Sequence, residues 1–232
     1  MLIGRENIKN LENRRVAVFG IGGVGGHAAE ALCRSGIGAI DVFDGDIVDI
    51  TNINRQLIAT HKTIGRVKVD VMRERLLEIN PELSAGAYKI FYLPETADEV
   101  DLSLYDYIVD AVDTITAKLE LICRAAALGI PLISSMGAAN KLDPTALEVA
   151  DIFGTSVCPV ARVMRSELRK RGINTLKVVY SREQPVKCRD IPNERNRPVP
   201  ASNAFVPPAA GLILASEVIN DLIKMKSIAG LH

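Results

Sequence analysis

The run Arg15-Val16-Ala17-Val18-Phe19 leads directly into Gly20-Ile21-Gly22-Gly23-Val24-Gly25. A short apolar stretch ending in Gly-x-Gly-x-x-Gly, with helix-patterned residues from Gly26 to about Gly36, is the strand–turn–helix opening of a nucleotide-binding βαβ unit. Glycines let the backbone approach a phosphate, and the helix start offers unpaired N–H groups at a positive dipole end. Gly20, Gly22, Gly23 and Gly25 are therefore expected at a nucleotide. A second run, Ala39 to Phe43, delivers Asp44 at its end, 19 residues after Gly25. An acid about 20 residues on is placed to accept from a ribose hydroxyl; the alternative for Asp44 is a turn acid ahead of Gly45. This much serves ATP and NAD alike.

The next stretch narrows the choice. Thr51-Asn52-Ile53-Asn54-Arg55-Gln56 is followed by Gly65-Arg66-Val67-Lys68-Val69 at the mouth of another helix. Glycines and a helix end largely satisfy a dinucleotide's pyrophosphate, so further fixed cations point to more phosphate charge, as in a triphosphate. Arg55 can clamp phosphate oxygens in a fork and Lys68 can act as a point charge. Asn52 can hydrogen-bond a phosphate or a metal's water, or merely hold a turn. Lys62 and Arg66 are read as solvent-facing. Asp113 directly follows an apolar strand pattern at 105–112; its carboxylate suits magnesium, or else caps the helix that follows. Asp110 points the other way in that strand and is read as structural.

Several stretches resemble one family in order along nearly the whole chain: Gly20 to Gly25, Thr51 to Gln56, Ile79-Asn80-Pro81, Asp110 to Asp113, Ser134 to Ala138, Leu142 to Thr145 and Phe205 to Pro208. The chain resembles the ubiquitin-activating-like (ThiF-type) adenylation family, within it the tRNA threonylcarbamoyladenosine dehydratase branch. The resemblance implies an α/β fold with a doubly wound, mostly parallel Rossmann-like sheet and a C-terminal crossover region. It also implies one adenylation domain over 1–232, with a nucleotide-binding core at 1–153 and a crossover loop and closing helix at 154–232.

The chemistry implied is activation of a carboxylate by ATP with Mg2+. Arg55, Lys68 and Asp113 serve as catalytic residues, with Asp113 also on the metal. The glycines, Asp44, Asn52, Arg55 and Lys68 hold the nucleotide. In the dehydratase branch the carboxylate belongs to threonylcarbamoyladenosine beside the tRNA anticodon, and an internal nitrogen displaces AMP to close a five-membered ring. The family further implies a homodimer and an arginine lent by the neighbouring subunit from its N-terminal region. In close relatives that arginine precedes the Leu2-Ile3-Gly4 segment; here the role stays unassigned, with Arg5 a candidate. A sulfur-transfer partner protein belongs to the same picture.

Pattern elsewhere agrees with an α/β chain. Residues 5–13 read as a short amphipathic helix, 66–79 as a helix stopped by Asn80-Pro81, and strands are expected at 86–93, 131–135, 147–152 and 176–181. A helix is expected at 159–171, a long polar loop at 182–203 and a closing helix at 208–226. With 232 residues, 48% of them apolar, the chain can bury a sizeable core. No secretory signal pattern is apparent at the start, and a cytoplasmic protein is expected. The apolar stretch from Ala204 to Ile223 holds Pro207, Pro208, Glu217 and Asp221, which favours a buried helix over a membrane span.

Cys33, Cys123, Cys158 and Cys188 form no Cys-x-x-Cys pair, which argues against structural zinc. Cys33 and Cys123 are expected in the core. Cys158 is either an ordinary buried thiol or, at the crossover, a nucleophile. His27 and His61 are read as surface residues. Net charge is zero, yet Cys158 to Pro200 carries eleven Lys/Arg against four Asp/Glu, a local surplus of +7. That surplus is either a solvated face or a contact for a tRNA backbone. Other readings share the fold: activation of the C-terminal glycine of a small sulfur-carrier protein, a NAD(P)-dependent oxidoreductase resting on the glycines and Asp44 alone, and a non-catalytic binding partner.

Overall fold

The computed structural model describes residues 2–186 and 201–229, with side chains as far as 225. Its centre is β1 (Arg15–Phe19), whose residues from Val16 onward are all buried. Such a run suits a parallel strand covered on both faces. Val16 and Val18 face one apolar cluster and Ala17 and Phe19 the opposite one.

The remaining strands are β2 (Ala39–Phe43), β3 (Ser84–Tyr88), β4 (Tyr107–Asp110), β5 (Leu132–Ser135), β6 (Leu147–Asp151) and β7 (Lys177–Ser181). They form one sheet in the order β3-β2-β1-β4-β5-β7-β6. All pairings are parallel except β6 with β7. The third strand ends at Tyr88 rather than running to residue 93; the chain then bends away to carry Phe91 and Tyr92 toward the sheet's C-terminal edge. The fourth strand is likewise shorter than its apolar pattern, because the turn from Ala111 leaves the ladder beside the glycine turn.

Six helices flank the sheet: α1 (Arg5–Leu11), α2 (Gly25–Arg34), α3 (Lys68–Ile79), α4 (Ile115–Leu128), α5 (Pro159–Lys170) and α6 (Val206–Ala229). Residues of α1, α2, α3 and α6 share one apolar cluster, whereas α4 and α5 cover the other face. On α2 the buried stripe is Ala28, Ala29, Leu32 and Cys33, the spacing of one helix face. Gly129 ends α4 in the left-handed conformation, φ 68°.

By length and composition α6 could cross a membrane. Here, however, it lies against α2 and the sheet, with Val206, Ala210, Leu214, Ala215, Val218 and Leu222 buried. Gly211 permits this close approach: a Cβ there would sit 2.3 Å from the Val24 carbonyl oxygen. The buried-helix expectation is met. The expected crossover loop at 182–203 lies largely outside the described residues, as does Cys188.

Candidate active site

β1 has β2 on one side and β4 on the other, so chain connections leave in opposite directions at this point. Ligands of open α/β sheets bind there, beyond the strand C-termini. A crevice of about 860 Å³ opens at this place. The glycine turn, Asp44, Asn52, Arg55, Gln56, Lys68, Tyr92, Asp113 and the loop after β5 line it. Eight of the nine residues expected at the site line this one cavity; Gly25 does not, and packs against the Gly20 carbonyl behind the turn.

The glycines divide the work. Gly20 has φ 89°, and a Cβ on it would lie 2.6 Å from the Ala111 carbonyl oxygen; one on Gly25 would lie 1.8 Å from the Gly20 oxygen. Those two close the turn, since only glycine tolerates the dihedral or the contact. Gly22 is different, with nothing nearer to a built Cβ than Gln56 Nε2 at 3.9 Å. It faces the opening. No side chain caps the start of α2, so its positive end is left to the crevice.

Asp44 braces this turn: its carboxylate accepts from the Ile21 N–H at 2.6 Å and the Asp46 N–H at 2.9 Å. The turn-acid role is thus realised, and the half-buried carboxylate also lines the crevice. Asn52 is buried, and its side-chain oxygen accepts from the Asp49 N–H at 3.0 Å within a reciprocal cap. Its amide nitrogen makes no hydrogen bond among the described residues. Arg55 donates to the Thr51 carbonyl at 2.9 Å and to Asn54 Oδ1 at 3.0 Å, which aims the guanidinium along the crevice rim.

Lys68 begins α3, where it is buried, and its ammonium donates to Asp46 at 2.8 Å. Asp46 is a partner the sequence pattern did not single out; its exposed carboxylate pairs the cation at the crevice wall. Asp113 is exposed and has no hydrogen bond or ion pair among the described residues. It does not cap α4, because Thr114 occupies that position, itself without a side-chain cap bond. Asp110 is fully buried and structural, accepting from Lys118 and from the Ser134 hydroxyl.

Several residues take places other than those expected. His27 is half-buried rather than a plain surface residue; its ring Nδ1 lies 3.0 Å from the Gly23 carbonyl, and burial lowers its pKa. Cys123, on α4, is only partly buried. Cys33 is buried as expected, and so is Cys158, which sits at the start of α5 outside the crevice lining. Tyr92 went unnoticed in the sequence; burial pushes its hydroxyl up to about 12, so it stays neutral. Lys118 could have been noticed, since it shares a helix face with Leu121, Ile122 and Ala125.

Most of the described cations after Cys158 pair within the chain, several of them at its surface. Lys170 and Arg171 pair with Glu167, Arg182 with Glu148, and Lys177 with Glu217 and Asp221. Arg165 donates to Thr155, and Arg169 lies over the Phe153 ring. Of these described cations, Arg162 alone has no side-chain partner. Lys187, Arg189, Arg195 and Arg197 lie outside the described residues. Among the described residues no group of three or more His, Cys, Asp or Glu could hold a metal. Asp113 could therefore serve only a cation that arrives with other ligands, such as phosphates and water.

Comparison with known proteins points the same way. The ThiF family model matches residues 1–228. A tRNA threonylcarbamoyladenosine dehydratase of Bacillus subtilis is 47% identical over 235 residues, covering 97% of this chain and 92% of that protein. The crystal structure of the Escherichia coli tRNA N6-threonylcarbamoyladenosine dehydratase in complex with ATP superposes with a TM-score of 0.87 at 32% identity, covering 97% of this chain and 92% of the other. An adenylyltransferase and sulfurtransferase of Aspergillus niger is 35% identical, but over only 57% of this chain and 27% of its own length.

Proposed function

Because this chain belongs to the ThiF family, we propose that its crevice uses ATP to activate the carboxylate of N6-threonylcarbamoyladenosine in tRNA and closes that group to its cyclic form. The observation that carries this reading is what surrounds the glycine turn. Arg55, the buried Lys68 and Asp113, which has no partner among the described residues, line one open cradle. A dehydratase 47% identical over 97% of this chain supports the same substrate.

Gly22 and Gly23, with the uncapped start of α2, receive phosphate oxygens. Lys68 and Arg55 neutralise the charge that grows as a carboxylate oxygen attacks the α-phosphorus and pyrophosphate leaves. Preorganised cations and N–H groups serve such a step by position and charge, without a nucleophile from the protein. A nitrogen of the same threonylcarbamoyl group then attacks the activated carbonyl carbon and AMP departs, carrying the oxygen lost as water overall. The ring closes within one molecule, so no thioester is needed and Cys158 has no step to perform. Asp44 accepts from the ribose, and Asn52 Nδ2 donates to a phosphate. Asp113 would hold a magnesium ion brought in with the nucleotide, which would supply neutralising charge at the triphosphate.

The working unit spans 1–232, from the nucleotide-binding core at 1–153 through the crossover and closing helix at 154–232. Family resemblance supports a cytoplasmic homodimer and makes a sulfur-transfer protein a candidate partner. The test is mass spectrometry of nucleosides from tRNA incubated with the protein, ATP and magnesium. Threonylcarbamoyladenosine should lose the mass of one water. Unchanged nucleosides, with pyrophosphate released only when a carrier protein ending in glycine is added, would replace this reading with the sulfur-carrier one.

A further inference from the structure

Gln56 lies on the crevice wall and is only 6% exposed. Its backbone is fixed at both ends, the N–H on the Asn52 carbonyl at 2.9 Å and the carbonyl on the Ala59 N–H at 3.0 Å. Its side-chain amide is not: neither end makes a hydrogen bond among the described residues, and Oε1 is sealed from solvent without a partner. Buried amides are normally paired, and an unpaired one is a standing desolvation penalty. Among the described residues three other buried polar atoms are orphaned, on Arg14, Asp41 and Tyr92. Arg14 and Asp41 each use their remaining atoms in ion pairs. Tyr92 and Gln56 do not, and both belong to this crevice.

The direction of the amide supplies the ligand chemistry. Nε2 is the end nearest the glycine turn, 3.9 Å from where a Cβ on Gly22 would stand. Around it are other donors: the turn's backbone, the Arg55 guanidinium and the Lys68 ammonium. The acids beside them, Asp44 and Asp46, already accept from the chain itself, so these donors suit an anion. An apolar side chain of the same length would fill this wall without leaving Oε1 unpaired, so packing alone does not explain a glutamine here.

We propose that Gln56 contacts the nucleotide, its Nε2 donating to a phosphate oxygen held against Gly22. The proposal rests on the ATP-dependent reading above. Oε1 stays without a partner in either state; Nε2, which is not sealed from solvent as Oε1 is, is the end that a phosphate oxygen can accept from.

Gln56→Met keeps the length and removes the polarity; Gln56→Glu keeps the shape and aims a negative charge at the phosphates. Each variant and the parent chain are melted, then titrated with magnesium-ATP by calorimetry in the absence of tRNA. Expected for Gln56→Met is a melting temperature at or above the parent's with affinity reduced at least threefold, and for Gln56→Glu a larger loss of affinity. Gln56→Met binding within threefold of the parent overturns the proposal. So does a lower melting temperature, which would make the amide structural, or a Gln56→Glu that binds better than Gln56→Met. A parent chain that binds no ATP would instead sink the ATP-dependent reading, and this proposal with it.

Discussion

The Lys118 ammonium stands 3.1 Å from both carboxylate oxygens of Asp110, in a pair whose side chains are 3% and 0% exposed. Ser134 Oγ and the Ser135 carbonyl complete the lysine's shell at 3.2 and 2.7 Å. Asp110 also accepts from the Val112 N–H at 3.2 Å. The pair therefore sets the turn that carries Asp113 and ties it to the end of β5. Lys118→Met would leave a buried carboxylate unpaired, which costs about 3–5 kcal/mol. Adding Asp110→Asn should recover part of that loss, and urea unfolding of the single and double variants measures both.

Arg55 and Lys68 separate charge from stability. Arg55→Ala removes a rim side chain bonded only to its own turn. Its melting temperature should stay essentially unchanged while turnover falls about 100-fold, the usual scale for one lost transition-state donor. Lys68→Met should lose at least as much turnover. In single-turnover assays on tRNA, a variant active at the parent rate would remove its own residue from the chemistry.

The two kinds of glycine predict opposite failures. Gly25→Ala drives a methyl into the Gly20 carbonyl and should prevent the turn from forming. Gly22→Ala meets nothing closer than 3.9 Å, so the chain should fold normally and yet bind ATP more weakly, because the methyl occupies the cradle. Circular dichroism melts beside ATP titrations distinguish the cases.

Asp113 is the crevice's one free carboxylate among the described residues, so a metal there depends on the nucleotide for its other ligands. Chelation by EDTA should stop turnover and magnesium restore it. Asp113→Asn should shift the half-saturating magnesium concentration upward, as read from activity against added metal.

His27 gives a pH signature. Burial holds its pKa below the ordinary value of 6.5. As pH falls through about 6.5 the unfolded chain takes up a proton that the folded chain refuses, so stability declines until the folded-state pKa is passed. Replacing the ring by His27→Gln should flatten the fall in melting temperature between about pH 7 and pH 5. An unchanged slope would assign that pH dependence to other groups.

The fold was legible because β1 and the glycine turn have few alternatives: a fully apolar strand followed by Gly20 and Gly25 demands a covered sheet and a tight turn. Arg55, Lys68 and Asp113 were legible as residue types that suit phosphate and magnesium. Their partners were not. Asp46 pairs with Lys68 because the chain doubles back between β2 and α3, a return that no local pattern announces. Gln56 was visible inside the Asn-Arg-Gln stretch, but its missing hydrogen bonds are a property of three-dimensional surroundings. The ends of β3 and β4 failed for a related reason, since apolar residues there turn out of the ladder to pack under the crevice.

Pro207, in the first turn of α6, lies against Gly23: a Cβ on that glycine would stand 3.2 Å from the proline ring. A cradle opened by residues near position 20 is thus walled by residues past 200. A nascent chain still holding α6 inside the ribosome tunnel has the glycine turn but not this wall. Nucleotide loading should then wait until α6 has emerged and docked.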